Sequence, residues 1–260
     1  MEIIREPKVA LLAKQEYLGH PEIDWQSDSD NDPQQLAEFA GRLCYLSFGQ
    51  EAEVIGGHKT IQGRTTNKEY MRNLLEVKHG SVLEHVVFTF LFEGISRALT
   101  HELVRHRAGF GFSQLSQRFV DESNIGFVVP PEIQDGTPAF EIWKEACENA
   151  LEWYRRLLAQ VAEQVADEPK ATMRRKRARQ AARSVLPNSA ETKIVVTANA
   201  RAWRHFIELR ASPAADAEIR KLAIAVLRVL LPEAPEIFGD FKVEPLDDGT
   251  ETAFTPYSKV

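Results

Sequence analysis

Two short runs of aromatic and β-branched residues, Phe88-Thr89-Phe90-Leu91-Phe92 and Ile194-Val195-Val196-Thr197, are the clear strand signals of this chain. Its other apolar residues recur at helical spacing. Leu36, Phe39, Ala40 and Leu43 follow the turn-rich stretch Gln26–Pro33 and predict an amphipathic helix. Ile142, Ala146, Leu151, Tyr154, Leu158, Val161 and Val165 predict a long helix ending near Pro169, and Ile219, Leu222, Ala223, Val226, Leu227 and Leu230 predict another ending before Pro232. Further helices are expected from Ile95 to His106 and, after the strand at Thr197, from Asn199 to Arg210. Few strands beside several long helices predict an α+β fold, a mixed α/β single domain over residues 1–260 with long helices around a small sheet. Gly49 to Asn67 holds four glycines and no period and reads as a mobile surface loop. The polar tail from Leu246 reads as loosely held.

Composition narrows the function. With 43% hydrophobic and 27% charged residues the chain has the balance of a soluble globular protein. Its longest apolar runs fall far short of the ~18 residues that span a bilayer, and Met1–Arg5 shows no secretory pattern, so a cytoplasmic protein without a membrane partner is expected. Cys44 and Cys147 lie about a hundred residues apart, offering neither a disulfide framework nor a C-x-x-C pair. A net charge of -6 argues against coating nucleic acid, so an anion site must be local.

Four histidines, His79, His85, His101 and His106, fall within 28 residues. His101-Glu102-Leu103-Val104 begins like a zinc-protease helix, but the next position is Arg105, and His106 would be rotated ~140° from His101 on a helix. No metal is expected. On the expected helix His101, Glu102 and Arg105 share one edge suited to an anionic, hydrogen-bonding ligand. Arg107-Ala108-Gly109-Phe110-Gly111-Phe112-Ser113-Gln114-Leu115-Ser116-Gln117-Arg118 then combines glycines, serines, glutamines and arginines with aromatics, a set that offers backbone N–H groups and positive charge to a phosphate and a planar ring. A second basic concentration, Lys170, Arg174, Arg175, Lys176, Arg177, Arg179 and Arg183, holds no acid and reads as a solvated helix face, an RNA-binding surface or a phosphate site.

The pattern Arg105-His106-Arg107 followed by Ser113-Gln114-Leu115-Ser116-Gln117-Arg118 resembles the signature of the flavin-dependent thymidylate synthases. His79-Gly80-Ser81-Val82-Leu83-Glu84-His85, Arg183-Ser184-Val185-Leu186-Pro187 and Asn199 through Arg210 are similar to the same family in the same order. The resemblance implies a mixed α/β homotetramer with sites where subunits meet. It implies C5 methylation of dUMP to dTMP, with FAD as cofactor and methylenetetrahydrofolate and NADPH as cosubstrates. Carried over by motif, the flavin side comprises His79, Ser81, Glu84, Arg105, His106, Arg107, Asn199, Arg201, His205 and Arg210. The nucleotide side comprises Glu102, Arg105, Gln114, Leu115, Ser116, Gln117, Arg118, Arg183 and Arg210. Arg118 and Arg183 are expected on the phosphate, Arg210 on the uracil, His79 at the flavin face and Ser116 near the reacting ring. Neither cysteine resembles the nucleophile of the unrelated folate-only enzymes.

Two departures from the family pattern stand out. Eight residues separate Arg107 from Ser116 where the family has seven, with Gly109 and Gly111 suggesting a pliable bulge, and Ala214 stands where many relatives have histidine. A roomier nucleotide pocket would admit a ribose hydroxyl, giving an alternative in which UMP is methylated as well. A silent flavin- or nucleotide-binding protein is the further alternative.

Overall fold

A computed structural model describes residues 1–49 and 64–260; most of the stretch Gly49 to Asn67, expected as a loop, lies outside them. The chain begins with β1 (Ile3–Ile4), β2 (Lys8–Lys14), α1 (Asp32–Tyr45), α2 (Asn67–Glu76) and a 3-10 turn (Gly80–His85). It continues through β3 (Val87–Ser96), α3 (Arg97–Leu103), β4 (Phe110–Gln114), β5 (Phe127–Val128), α4 (Pro138–Gln164) and α5 (Ala171–Ala182). A short 3-10 turn (Arg183–Val185) leads to β6 (Glu191–Asn199), α6 (Ala200–Arg210), α7 (Ala217–Glu233), α8 (Pro235–Phe238), β7 (Lys242–Pro245) and β8 (Glu251–Phe254). This is the expected mixture of long helices and small sheets.

The two expected strand runs, β3 and β6, are neighbours in a four-stranded sheet ordered β2-β3-β6-β4. Their side chains alternate as a half-buried strand requires: Phe88, Phe90 and Phe92 are fully buried on one face of β3, while Thr89 on the other meets Thr197 of β6 through their hydroxyls at 2.9 Å. Two smaller sheets accompany it. β1 pairs with β5 in parallel, Ile3 against Phe127, and β7 pairs with β8 antiparallel, Lys242 against Phe254.

The described residues group into two compact units. The first comprises Met1–Lys8, Phe92–Arg105 and Phe112–Val195. Its core gathers Ile125, Phe127, Cys147, Leu151 and Ala190, with Trp143 and Leu186 against them. The second comprises Val9–Leu91, His106–Gly111 and Val196–Val260. Here Trp203 of α6 stands edge-on to Phe90 at 5.1 Å and donates its indole N–H to the Phe88 carbonyl at 3.3 Å, which locks α6 to β3.

Several boundaries differ from expectation. The helix anticipated from Ile95 to His106 shrinks to Arg97–Leu103, because β3 runs on through Ser96 and the Ser96 hydroxyl accepts the Leu99 N–H at 3.0 Å, capping a new helix there. Helix α7 does not stop before Pro232 but continues to Glu233. A proline in the last turn forfeits one intrahelical bond, and the turn is kept closed by the Ala234 N–H on the Leu230 carbonyl at 2.9 Å. The tail expected to be loose is tied down instead. Ala253 N–H and the Thr252 hydroxyl both donate to the Ala211 carbonyl, at 3.0 and 2.7 Å, so its polar side chains are bonded within the second unit. No helix among the described residues is long and apolar enough to cross a membrane.

Candidate functional site

In the second unit the junction from β6 to α6 sets the geometry. Asn199, extended at the strand's end, accepts the Ala202 N–H on its side-chain oxygen at 2.8 Å and so starts α6 without a connecting loop. Arg201 and His205 lie one turn apart on that helix. Arg201 Nη1 donates to Glu84 of the 3-10 turn at 2.5 Å; both side chains are over two-fifths exposed, so the pair orients the groups more than it stabilises the fold. Glu84, Ala108, Gly109, Asn199, Arg201 and His205 line a cavity of about 250 Å³.

Gly109 has φ +76°, and a Cβ there would fall 2.8 Å from Asn199 Nδ2 and 3.2 Å from the Ala202 methyl. Gly109 therefore sits in a tight turn packed on α6, where only glycine fits. Phe110 to Gln114 continues as β4, a strand concealed in the sequence by its glycine and polar residues.

His79 is exposed and stacks on Tyr45, the rings 6.0 Å apart and 11° from parallel. With Ser81, Tyr70, Cys44 and Arg64 these residues line a second cavity of about 410 Å³. Arg107 and His205 are exposed, and Arg210 at the end of α6 is half-buried. Ala214 is exposed beyond α6, its N–H on the Ser212 hydroxyl at 3.3 Å.

His106 differs from the other histidines. It is only 9% exposed, set among Phe110, Phe206 and His205, and its Nε2 accepts from Arg210 Nε at 3.0 Å. Burial, then the charges of Arg210 and His205, push its pKa down to about 4. The imidazole is therefore neutral near pH 7 and acts as an acceptor that orients the Arg210 guanidinium.

The nucleotide-side residues belong to the first unit apart from Arg210. The Leu115 N–H donates to the Lys193 carbonyl of β6 at 2.8 Å, so Ser116, Gln117 and Arg118 follow a fixed strand end. The Ser116 carbonyl accepts the Phe119 and Val120 N–H groups, both at 3.0 Å, turning the chain sharply. Gln117 is 5% exposed, yet its Nε2 has no partner among the described residues; the same holds for the buried Arg118 Nε. Buried donors left unpaired are costly, and an arrangement that retains them points to an acceptor from outside the chain.

A third such donor is Arg97 Nη1, a residue the sequence reading did not single out. Burial, then the nearby charge of Arg183, push the Arg97 pKa down, and the Glu122 carboxyl offsets them only in part. The signal was present: an arginine in the first turn of a helix opposes the helix dipole, which favours acids there. Arg183 itself is half-buried in the 3-10 turn after α5.

Other expectations are modified. Gln114 spends its amide on the Thr100 and Thr192 hydroxyls, each at 3.2 Å, and so braces the strand end. The shared helical edge of His101, Glu102 and Arg105 does not form: α3 ends at Leu103, and exposed Arg105 sits in the turn beyond, its N–H on the Glu102 carbonyl at 3.2 Å. Of the basic run on α5, Arg174 donates to the Glu168 carbonyl and Arg179 to the Phe119 carbonyl, both at 2.6 Å. Cys147 is buried mid-helix with its thiol pushed up by burial, the opposite of what an attacking sulfur needs. Ser116 Oγ accepts the Arg118 N–H at 3.4 Å.

The buried carboxyl of Glu122, near Arg97, is raised to about 7 by burial, reinforced by Glu191 and Asp121 and opposed by Arg97. Two linkages follow with opposite signs. His106, depressed from 6.5, favours folding fully above pH 6.5 and loses that contribution as pH falls toward 4. Glu122, raised from 4.5, favours folding fully below pH 4.5 and loses it as pH rises toward 7. Each slope is about 1.4 kcal/mol per pH unit, so they oppose between about pH 4.5 and 6.5. Glu122→Gln should therefore leave stability climbing with pH across that window in urea titrations; an unchanged pH profile would contradict the burial of a raised carboxyl.

Comparison with known proteins places these features in context. The family model described as "Thymidylate synthase complementing protein" matches residues 27–236. The chain is 50% identical over 249 residues to proteins named flavin-dependent thymidylate synthase from Mycobacteroides abscessus and from Mycobacterium tuberculosis, covering 96% of this chain and 95% of each relative. In fold it is similar to crystal structures of a UMP/dUMP methylase, PolB, from Streptomyces cacaoi bound with 5-Br dUMP and with 5-Br UMP. Those matches have TM-scores of 0.65 and 0.64 at 21% identity, over 92% of this chain and 96% and 95% of theirs.

Proposed function

The chain belongs to the family of thymidylate synthase complementing proteins, which the flavin-dependent thymidylate synthases make up, and from that premise we propose that it methylates C5 of dUMP to give dTMP. The carbon donor is methylenetetrahydrofolate, the reductant NADPH and the cofactor FAD. What supports a nucleotide monophosphate from the molecule itself is the set of unpartnered buried donors on Gln117, Arg118 and Arg97, with Arg183 adding charge beside Arg97. A dianionic phosphate satisfies such a set, and guanidinium forks bind it bidentately.

The second unit fits a flavin. Asn199, Arg201, His205, Glu84, Ser81 and His79 edge two cavities with donors suited to a pyrophosphate and an isoalloxazine rim, and Gly109 lets backbone approach Asn199 closely. Bound and reduced, the cofactor supplies the hydride that completes the methyl group. The protein's own part is orientation and charge. Arg210, its guanidinium held by neutral His106, would stabilise negative charge developing on the uracil. Arg118, Arg183 and Arg97 anchor the phosphate, so that binding energy remote from C5 orients the ring. Ser116 contacts the nucleotide. Cys147 is not an attacking nucleophile, since it is buried and its thiol disfavours ionisation.

His79, Ser81, Arg105, Arg107 and His205 are all exposed in the single chain. Further copies of the chain, as a homotetramer, would cover them and complete the sites. The deciding experiment supplies FAD, NADPH and methylenetetrahydrofolate with either dUMP or UMP and records product mass. Methylation of dUMP is expected. Equal methylation of UMP would overturn the choice of sugar, and no product from either would leave a binding protein without turnover.

A further inference from the structure

We propose that the segment Thr255–Val260 is a positioning element for the flavin side of the site, seating the 3-10 turn that carries Ser81 and Glu84 and the edge of α6 that carries Arg201. The inference rests on the flavin reading above. Its starting point is Gly80. An ideal Cβ on this residue would fall 2.5 Å from the carbonyl carbon of Val260 and 3.1 Å from Arg201 Nε, so three segments meet where only a hydrogen atom fits. Val260 is 4% exposed, so its side chain is packed in the same place.

The segment is anchored at two further points, one on α6 itself and one on Asp240, which α6 grips. Ser258 donates its hydroxyl to Glu208, and the other oxygen of that carboxylate accepts the Lys259 N–H at 3.1 Å. Thr255 donates to Asp240, which buried Arg204 grips with two bonds of 2.6 and 2.8 Å. Glu208 lies seven residues, about two turns, beyond Arg201 on the same helix. Displacing the segment therefore loosens the support on which the Arg201–Glu84 pair is set.

The backbone carries the same message. Lys78, just before His79, and Lys259, just before Val260, have φ of 58° and 62°. Left-handed conformations are costly for residues with a Cβ and persist only where surrounding contacts enforce them. They stand on either side of the Gly80–Val260 contact. None of these residues takes part in the chemistry proposed above, and their connection to the cofactor runs only through the groups they hold in place.

The test titrates FAD into cofactor-stripped protein, following flavin fluorescence and the visible absorption band, alongside melting temperature without cofactor. Four proteins are compared: the unaltered chain, Gly80→Ala, Ser258→Ala with Glu208→Gln, and the chain ending at Phe254. We expect each altered protein to bind FAD about tenfold or more weakly, since a loosened site must be ordered on binding. A peptide of the sequence Thr255–Val260 should restore affinity to the shortened chain. Unchanged FAD affinity in Gly80→Ala and in the double variant overturns the inference, even if the shortened chain fails to fold. Loss of affinity only in proportion to a lowered melting temperature, without a changed flavin band, overturns it as well. Failure of the unaltered chain to bind FAD would sink the flavin reading and this inference together, whereas equal binding by all four sinks only the inference.

Discussion

Replacing Arg118 with alanine is expected to weaken dUMP binding by about a hundredfold or more while flavin stays bound. The direction follows from burial. Arg118 Nε is buried with no partner among the described residues, and Gln117 Nε2 beside it is in the same condition, and the phosphate of the proposed nucleotide would supply the acceptor they lack. Removing one side of a buried charged hydrogen bond costs about 2–5 kcal/mol, and about 1.4 kcal/mol is tenfold in affinity. Arg118→Lys should recover part of the loss, because a point charge keeps the attraction but not the planar fork. Arg97→Met should act in the same direction, its Nη1 being likewise buried with no partner among the described residues. Calorimetric titration of dUMP into the flavin-loaded protein reads all three. Affinity within about twofold of the unaltered protein in Arg118→Ala, or flavin lost from it, would remove this residue from the phosphate site.

The second large effect concerns Arg210. Arg210→Ala should lower kcat by about 10²–10³, the usual consequence of deleting one donor to a developing negative charge, with a smaller change in KM for dUMP. His106 acts through it. Its Nε2 holds Arg210 Nε at 3.0 Å, so His106→Leu should cost kcat roughly tenfold with KM little altered, and His106→Asn, which keeps an acceptor, should restore part of it. Because burial and two neighbouring charges press the His106 pKa down to about 4, its protonation leaves kcat flat between about pH 5 and 8. A step in kcat near pH 6.5 that disappears in His106→Asn would mean that the imidazole titrates in the working range, and the orienting role would fall.

Much of the fold was legible because its signals are local. The alternation in Phe88 to Phe92 and the spacing in α1, α4 and α7 are periodicities contained within single elements, and Asn199 is a cap whose acceptor lies three residues before its donor. Strands β2 and β4 were not legible. Lys8–Lys14 is a short run flanked by lysines, and Phe110–Gln114 is only five residues long and sets its two phenylalanines beside glycine, serine and glutamine. They are strands because of partners far along the chain, Leu115 at the end of β4 bonding to Lys193 seventy-eight residues on.

The sequence by itself determined the chemistry this protein is equipped for. Arg105-His106-Arg107, Ser116, Arg118, Arg183 and Arg210 stand in an order that matches one family across residues 27–236, and residue types at fixed spacing need no coordinates to be read. Only the tertiary structure decided which of those groups can act and in what state. It made His106 neutral, gave Gln114 to Thr100 and Thr192, left Arg97, Gln117 and Arg118 with donors unpaired among the described residues, and docked Val260 beneath Gly80. The reason is physical: charge state, hydrogen-bond satisfaction and steric room depend on burial and on neighbours in space, and neither is a property of a residue's place along the chain.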